Sequence, residues 1–287
     1  MKNERYRIGE FLFEISYPKE VHVPSNFQQF RVMAGCPAYF YRISCADTLP
    51  AFQQEAIARR DDLCVLPSET GGEIRQLGVR GTAGFYACYM ERGSDRADIV
   101  LKKSELDTLC FDTVFTSLLA LERRMLERDS LILHCSCLRY RGQAILFSGP
   151  SGIGKSTQAN LWQTFRGAEI MNGDRALLRR SAGKWIACGW PVCGSSGICR
   201  LGDAPIRSIV MLEQGARNHS ERLPPVRAFS LLYGQTTINR WNPNAVTHSI
   251  DLIENLITEV PVYQLTCTPT EAAVDCLESA LGELGER

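Results

Sequence analysis

The sequence lacks an excess of charge of either sign. Its 32 Lys and Arg balance 32 Asp and Glu over 287 residues. A chain that binds nucleic acid through bulk electrostatics is normally basic, so no nucleic-acid partner is expected. The sequence has no apolar run near the roughly 18 residues of a membrane-spanning helix, so no membrane partner is expected either. It has no low-complexity stretch and no repeat of fixed period. With 45% hydrophobic and 22% charged residues, it is not the polar, highly charged chain that stays disordered. At roughly 150 residues per domain, its length fits one large domain or two ordinary ones, with a core that needs no staples.

Cysteine is abundant, at 12 residues, but its two usual contexts are missing. No Cys-x-x-Cys pair suggests zinc; the closest pairs are Cys135 with Cys137 and Cys193 with Cys199. The start, MKNERYRIGEF, has no apolar segment of a signal peptide. The chain is also larger than the small secreted domains that rely on disulfides. Most cysteines lie in apolar strings such as YACYM, LCVL and TLCF, where a thiol behaves as a small hydrophobe. Reduced, mostly buried thiols in a cytoplasmic protein are expected, with metal binding or redox sensing as the alternative.

Hydrophobic patterning divides the chain. Residues 1–108 read as a β-rich domain of unknown role, with short strand-like runs FLFEISY, FRVMAG, AYFYRIS, DLCVL, GFYACYM and ADIVL separated by turn residues. Residues 51–60, after Pro50, read as a short helix. Residues 110–128 change to a helical period, with Val114, Leu118, Leu121 and Met125 on one face. A second domain is therefore expected over 109–287. Within it, two apolar runs flank Arg141-Gly142, which predicts a tight hairpin. WIACGWPV, SIVMLEQ and VYQLTC read as strands; 226–233, 245–258 and 271–284 read as helices. The expected class is α/β (α+β) with a mixed sheet in the second domain.

Residues 149–156 read GPSGIGKS and are followed by Thr157. This is the G-x-x-x-x-G-K-[ST] pattern of a P-loop (Walker A). Its glycines let backbone N–H groups surround phosphate oxygens. Its lysine reaches the β- and γ-phosphates, and its hydroxyl binds Mg²⁺. The fixed positions would match by chance on the order of once in 100 chains of this length. A strand before and a helix after, with Ala159, Trp162 and Phe165 available for burial, complete the context. Gly149, Pro150, Ser151, Gly152, Ile153, Gly154, Lys155, Ser156 and Thr157 are thus expected to bind a nucleoside triphosphate. The metal needs an acid, and AEIMNGDRALL offers Asp174, 18 residues beyond Ser156. Ser156 and Asp174 are the expected Mg²⁺ ligands. A second candidate is CGSSGICR at 193–200, an anion-binding nest, an acceptor loop or a plain turn. Arg175 either stabilises phosphate charge or holds Asp174.

HCSCLRYRGQAILFSGPSGIGKSTQA, followed by GAEIMNGDRALL, resembles the catalytic domain of HPr kinase/phosphorylase, itself similar to phosphoenolpyruvate carboxykinase around the P-loop. The resemblance is good over 130–180, weaker beyond, and absent from 1–108. It implies ATP and Mg²⁺ as cofactors, with Lys155 and Asp174 in catalysis. It adds His134, which matches a family active-site histidine; a satisfied core histidine is the alternative. It also implies self-association into a homo-oligomer. The sequence departs from the family at two places. Gly173 stands where the family has the first of two aspartates, its catalytic base, and Ile186 stands where it has a glutamate. Asp174 would then serve metal and proton together, or His134 or Glu169 would act as base, or only binding would remain. The expected function is transfer of the γ-phosphate of MgATP to a hydroxyl, on a peptide or protein serine. The alternatives are a non-catalytic ATP-binding regulatory module and a kinase for a sugar or polyol.

Overall fold

A computed structural model describes residues 1–69 and 72–282. They form a mixed α+β fold of two compact units, Met1–Arg124 and Met125–Arg287. The first contains β1 (Lys2–Ile8), β2 (Phe11–Tyr17), α1 (Ser25–Gln28), β3 (Arg31–Val32), β4 (Tyr39–Ala46), β5 (Ala58–Arg60), β6 (Leu63–Pro67), β7 (Glu73–Leu77), β8 (Ala87–Glu91) and β9 (Arg96–Lys102). A 3₁₀ segment Lys103–Cys110, α2 (Asp112–Leu118) and α3 (Leu121–Leu126) follow.

The nine strands form one sheet in the order β3-β1-β2-β4-β9-β8-β7-β6-β5. Pairing is parallel at β2–β4 and β4–β9 and antiparallel elsewhere. Tyr6, Ile8, Phe13, Ile15, Tyr39 and Tyr41 are buried on alternating positions, the two-residue period of a half-buried strand. The helix expected over 51–60 is absent: Ala58, Arg59 and Arg60 pair with Val65, Cys64 and Leu63 as an edge strand. The single helix expected over 110–128 is two short helices, because Ala120 takes φ +48° and breaks the run. The division between units falls inside α3, beyond the boundary expected ahead of residue 109.

One strand of this sheet defies its composition. Glu73 and Arg75 of β7 are buried, together with Glu91 of β8 and Arg124 of α3. Arg75 pairs with Glu73 at 2.8 Å, and Arg123 with Glu73 at 3.0 Å and Glu91 at 2.9 Å. Arg124 also pairs with Glu91 and lies 4.7 Å over the Tyr39 ring. Burying such charges is tolerable only because each finds a partner.

The second unit runs β10 (Leu131–Tyr140), β11 (Gln143–Ser148), α4 (Lys155–Arg166), β12 (Glu169–Asn172), β13 (Arg175–Ser181), β14 (Lys184–Cys188), β15 (Asp203–Gln214), β16 (His219–Arg222), α5 (Pro225–Gln235), α6 (Pro243–Glu259), β17 (Val262–Cys267) and α7 (Glu271–Gly282). The expected end of the last helix at Leu284 lies outside the described residues. The hairpin is where the sequence placed it. Tyr140 pairs with Gln143, and Arg141 and Gly142 both take positive φ, +50° and +77°, as a two-residue turn of this hand requires.

Two long strands organise this unit. The N-terminal part of β10 pairs with β13, while the rest pairs with β11 and β12. Similarly, β15 pairs with β14 near its start and with β11 and β17, both parallel, beyond it. One face buries Leu133, Leu146 and Ile209 with Leu232 of α5 and Leu256 of α6. The other buries Ile145, Phe147 and Val210 with Trp162 of α4 and Leu277 of α7. Trp162 is fully buried, with ring centroids 5.3 Å from Tyr140 and 6.4 Å from Phe147. A buried aromatic of this size contributes roughly 1.5–3 kcal/mol and fixes α4 against the sheet. Phe165, expected to share that role, is 40% exposed. Among the described residues, no helix is long and apolar enough to cross a membrane.

Candidate functional site

The glycine loop 149–154 leaves the C-terminal end of β11 and enters α4. Gly149, Gly152 and Gly154 take φ of +142°, +80° and +112°, a backbone that side chains with a Cβ disfavour. Gly154 is also the residue that starts α4, so the helix's unpaired N–H groups face the loop. Lys155 is buried, and its Nζ donates to the carbonyls of Gly149 at 3.0 Å and Pro150 at 3.1 Å. Burial lowers the Lys155 pKa, and the negative charge of Asp174 opposes that shift. Ser156 and Thr157 are exposed at the first turn of α4.

Asp174 owes its place to the split of β10. The strands β12 and β13 are consecutive in sequence, yet both pair antiparallel with β10, at Cys137↔Asn172 and His134↔Arg175. Gly173-Asp174 is the junction between them. The junction is tied by Asn172, which is buried. Its Nδ2 donates to the Trp190 carbonyl at 2.8 Å, and its Oδ1 accepts from the N–H groups of Asp174 at 2.8 Å and Arg175 at 2.9 Å. The backbone N–H of Cys135 donates to the Asp174 carbonyl at 2.9 Å.

Two side chains approach the Asp174 carboxylate, Arg175 and His134. Arg175 Nε donates to Oδ2 at 3.2 Å while its Nη1 donates to Thr237 Oγ1 at 3.0 Å, so Arg175 holds the aspartate. His134 Nε2 lies 3.6 Å from Oδ1. His134 Nδ1 lies 3.3 Å from Gln235 Oε1. With Nδ1–H donated to that oxygen, a neutral His134 turns the Nε2 lone pair toward Asp174. Burial and the Lys155 charge push the His134 pKa down, against the pull of Asp174. Gln235 and Thr237 arrive at the end of α5, where Thr236 bridges to Leu133.

Of the other sequence candidates, Glu169 is engaged elsewhere. It pairs with Arg139 and, at 2.8 Å, with Arg200. Hydrogen bonds from Arg200 and then Arg139 push its pKa down, which makes it a poor base. Ile186 lies buried in the body of β14, paired with Arg179 and Pro205. Cys135, Cys137, Cys193 and Cys199 are all buried. Burial pushes Cys137 up to about 12 and Cys135 well above its ordinary value, so these two are not reactive nucleophiles.

The 193–200 segment is stitched alongside the junction. Gly173 N donates to the Ile198 carbonyl at 3.3 Å and Arg200 N to the Met171 carbonyl at 2.8 Å. Gly173 is required by close approach: a Cβ there would lie 2.1 Å from Ser196 Oγ and 2.3 Å from its Cβ. Ser196 thus fills the space of a side chain at 173.

Asp174 brings one carboxylate and Ser156 one hydroxyl. Among the described residues, no cluster of three or more His, Cys, Asp or Glu could cage a metal ion unaided. Mg²⁺ is typically held by one or two carboxylates together with substrate phosphates and water.

No protein-family model matches the chain, and no curated protein matches it. Among solved structures, the HPr(Ser) kinase/phosphatase from Coxiella burnetii is similar at 12% identity with a TM-score of 0.32, over 54% of this chain and 94% of that one.

Proposed function

We propose that the chain is an ATP-dependent phosphotransferase that moves the γ-phosphoryl group of ATP to a hydroxyl, on a peptide or protein serine. The observation that carries this reading is the convergence of Lys155, Asp174 and His134 at the mouth of a glycine loop on a helix N-terminus. In this reading the N–H groups of 149–157 cradle the phosphates. Lys155 exchanges its two loop carbonyls for phosphate oxygens and neutralises the charge that develops on them. Ser156 and Asp174 would hold Mg²⁺, which would supply positive charge to the phosphates. Asn172, Arg175 and Thr237 fix Asp174, and Gln235 sets the tautomer of His134. His134 Nε2 is the proton acceptor, in place of the acid that Gly173 lacks. Phosphoryl transfer needs chiefly positioning and charge stabilisation, so loss of one base lowers the rate without abolishing it.

Incubation of the full chain with γ-labelled MgATP and a cell extract tests this. The expected result is label on a polypeptide that disappears with Lys155→Ala. Tight MgATP binding without transfer or ADP formation would instead identify a non-catalytic ATP-binding module, a reading favoured by Ser196 filling the space beside Gly173.

A further inference from the structure

The loop that closes over Asp174 is itself built like an acceptor. Gly194 lies directly against the carboxylate: a Cβ at this position would be 3.0 Å from both Cγ and Oδ1 of Asp174. The two serines that follow differ. Ser196 is committed to the turn, donating to the Cys193 carbonyl at 2.6 Å and accepting from Ile198 N at 3.2 Å. Ser195 is exposed, and its Cα is one peptide, about 3.8 Å, from the Gly194 Cα. Gly194 and Gly197 bracket the pair in the left-handed region, with φ of +56° and +66°. Such residues re-aim a loop at little steric cost. An external acceptor approaching Asp174 from this side meets this loop first.

We propose that Ser195 is an internal acceptor, phosphorylated in cis by the nucleotide bound at 149–157. The inference rests on the nucleotide-binding reading of that site. In the step, the bond from Ser195 Oγ to the γ-phosphorus forms while the bond from that phosphorus to the β,γ-bridging oxygen breaks. ADP leaves, and the hydroxyl proton passes to water, to which the exposed loop is open. The loose transition state of phosphoryl transfer places little demand on a base at this oxygen, in keeping with the missing acid at 173.

The test is purified full chain incubated with MgATP and followed by intact mass and peptide mapping, alongside direct measurement of MgATP binding. The expected result is gain of a single phosphate on Ser195 at a rate independent of protein concentration. The phosphate is absent in Lys155→Ala, and Ser195→Ala gains none on the 193–200 peptide. Phosphate on another residue, a rate proportional to protein concentration, or MgATP binding with no phosphate on Ser195 overturns the proposal and leaves the nucleotide site standing. No MgATP binding overturns both.

Discussion

Gly173 shows how a single residue shapes this site. Any side chain here collides with Ser196, and the loop must move to admit one. Gly173→Asp, which restores the acid of the HPr kinase pattern, is expected to cost about 1–3 kcal/mol of stability through overpacking. Adding Ser196→Gly should recover at least half of that loss, because residues in contact couple in a double-mutant cycle. Urea unfolding of the four proteins measures it; additive losses would show that the two positions do not share space. His134 gives a second prediction. Its native pKa is held below the ordinary 6.5 by burial and the Lys155 charge, so the unfolded chain accepts a proton that the native chain refuses. Stability then falls as pH drops below 6.5, down to the native pKa, and this contribution is flat above 6.5. His134→Gln is expected to remove that part of the slope, read from urea midpoints across this range. An unchanged slope would mean that the environment of His134 does not disfavour its charge.

At the scale of elements, the hairpin β10–β11 and the helix α4 were legible because their signals are local. Arg141-Gly142 sits between apolar runs, and the glycine loop leads straight into an amphipathic helix. The strand β7 was not legible, because Glu73 and Arg75 read as surface residues. They are buried by ion pairs whose partners, Glu122 for Arg75 and Arg123 for Glu73, lie elsewhere in the sequence. The break at Ala120 was likewise hidden, since no Gly or Pro marks it. Glu91→Ala removes the buried carboxylate that Arg123 and Arg124 share and should cost about 3–5 kcal/mol. Chemical denaturation of the full chain checks this, and a loss under about 1 kcal/mol would show that water or rearrangement replaces the carboxylate.

For the molecule as a whole, the two-part α+β organisation followed from the change in hydrophobic period, although the units divide within α3. The core of the candidate site was legible as a motif: Lys155, Ser156, Asp174 and, through a family resemblance, His134. Its supports were not. Asn172 reads as part of an ordinary turn, while Gln235 and Thr237 reach the site only because α5 returns its end to β10. Such long-range placement leaves no local pattern in the chain. The balanced net charge hides the feature that matters, a buried lysine and a helix end gathered at one loop.

The claim on which all of this depends is that 149–157 holds a nucleoside triphosphate through Lys155. Titration calorimetry of the full chain with MgATP tests it most directly. The expected result is saturable binding at one site. Hydrogen bonds to a charged group contribute about 1.5–3 kcal/mol, so Lys155→Ala should weaken binding roughly 10- to 150-fold. No binding by the wild-type chain, or equal affinity in Lys155→Ala, would contradict it.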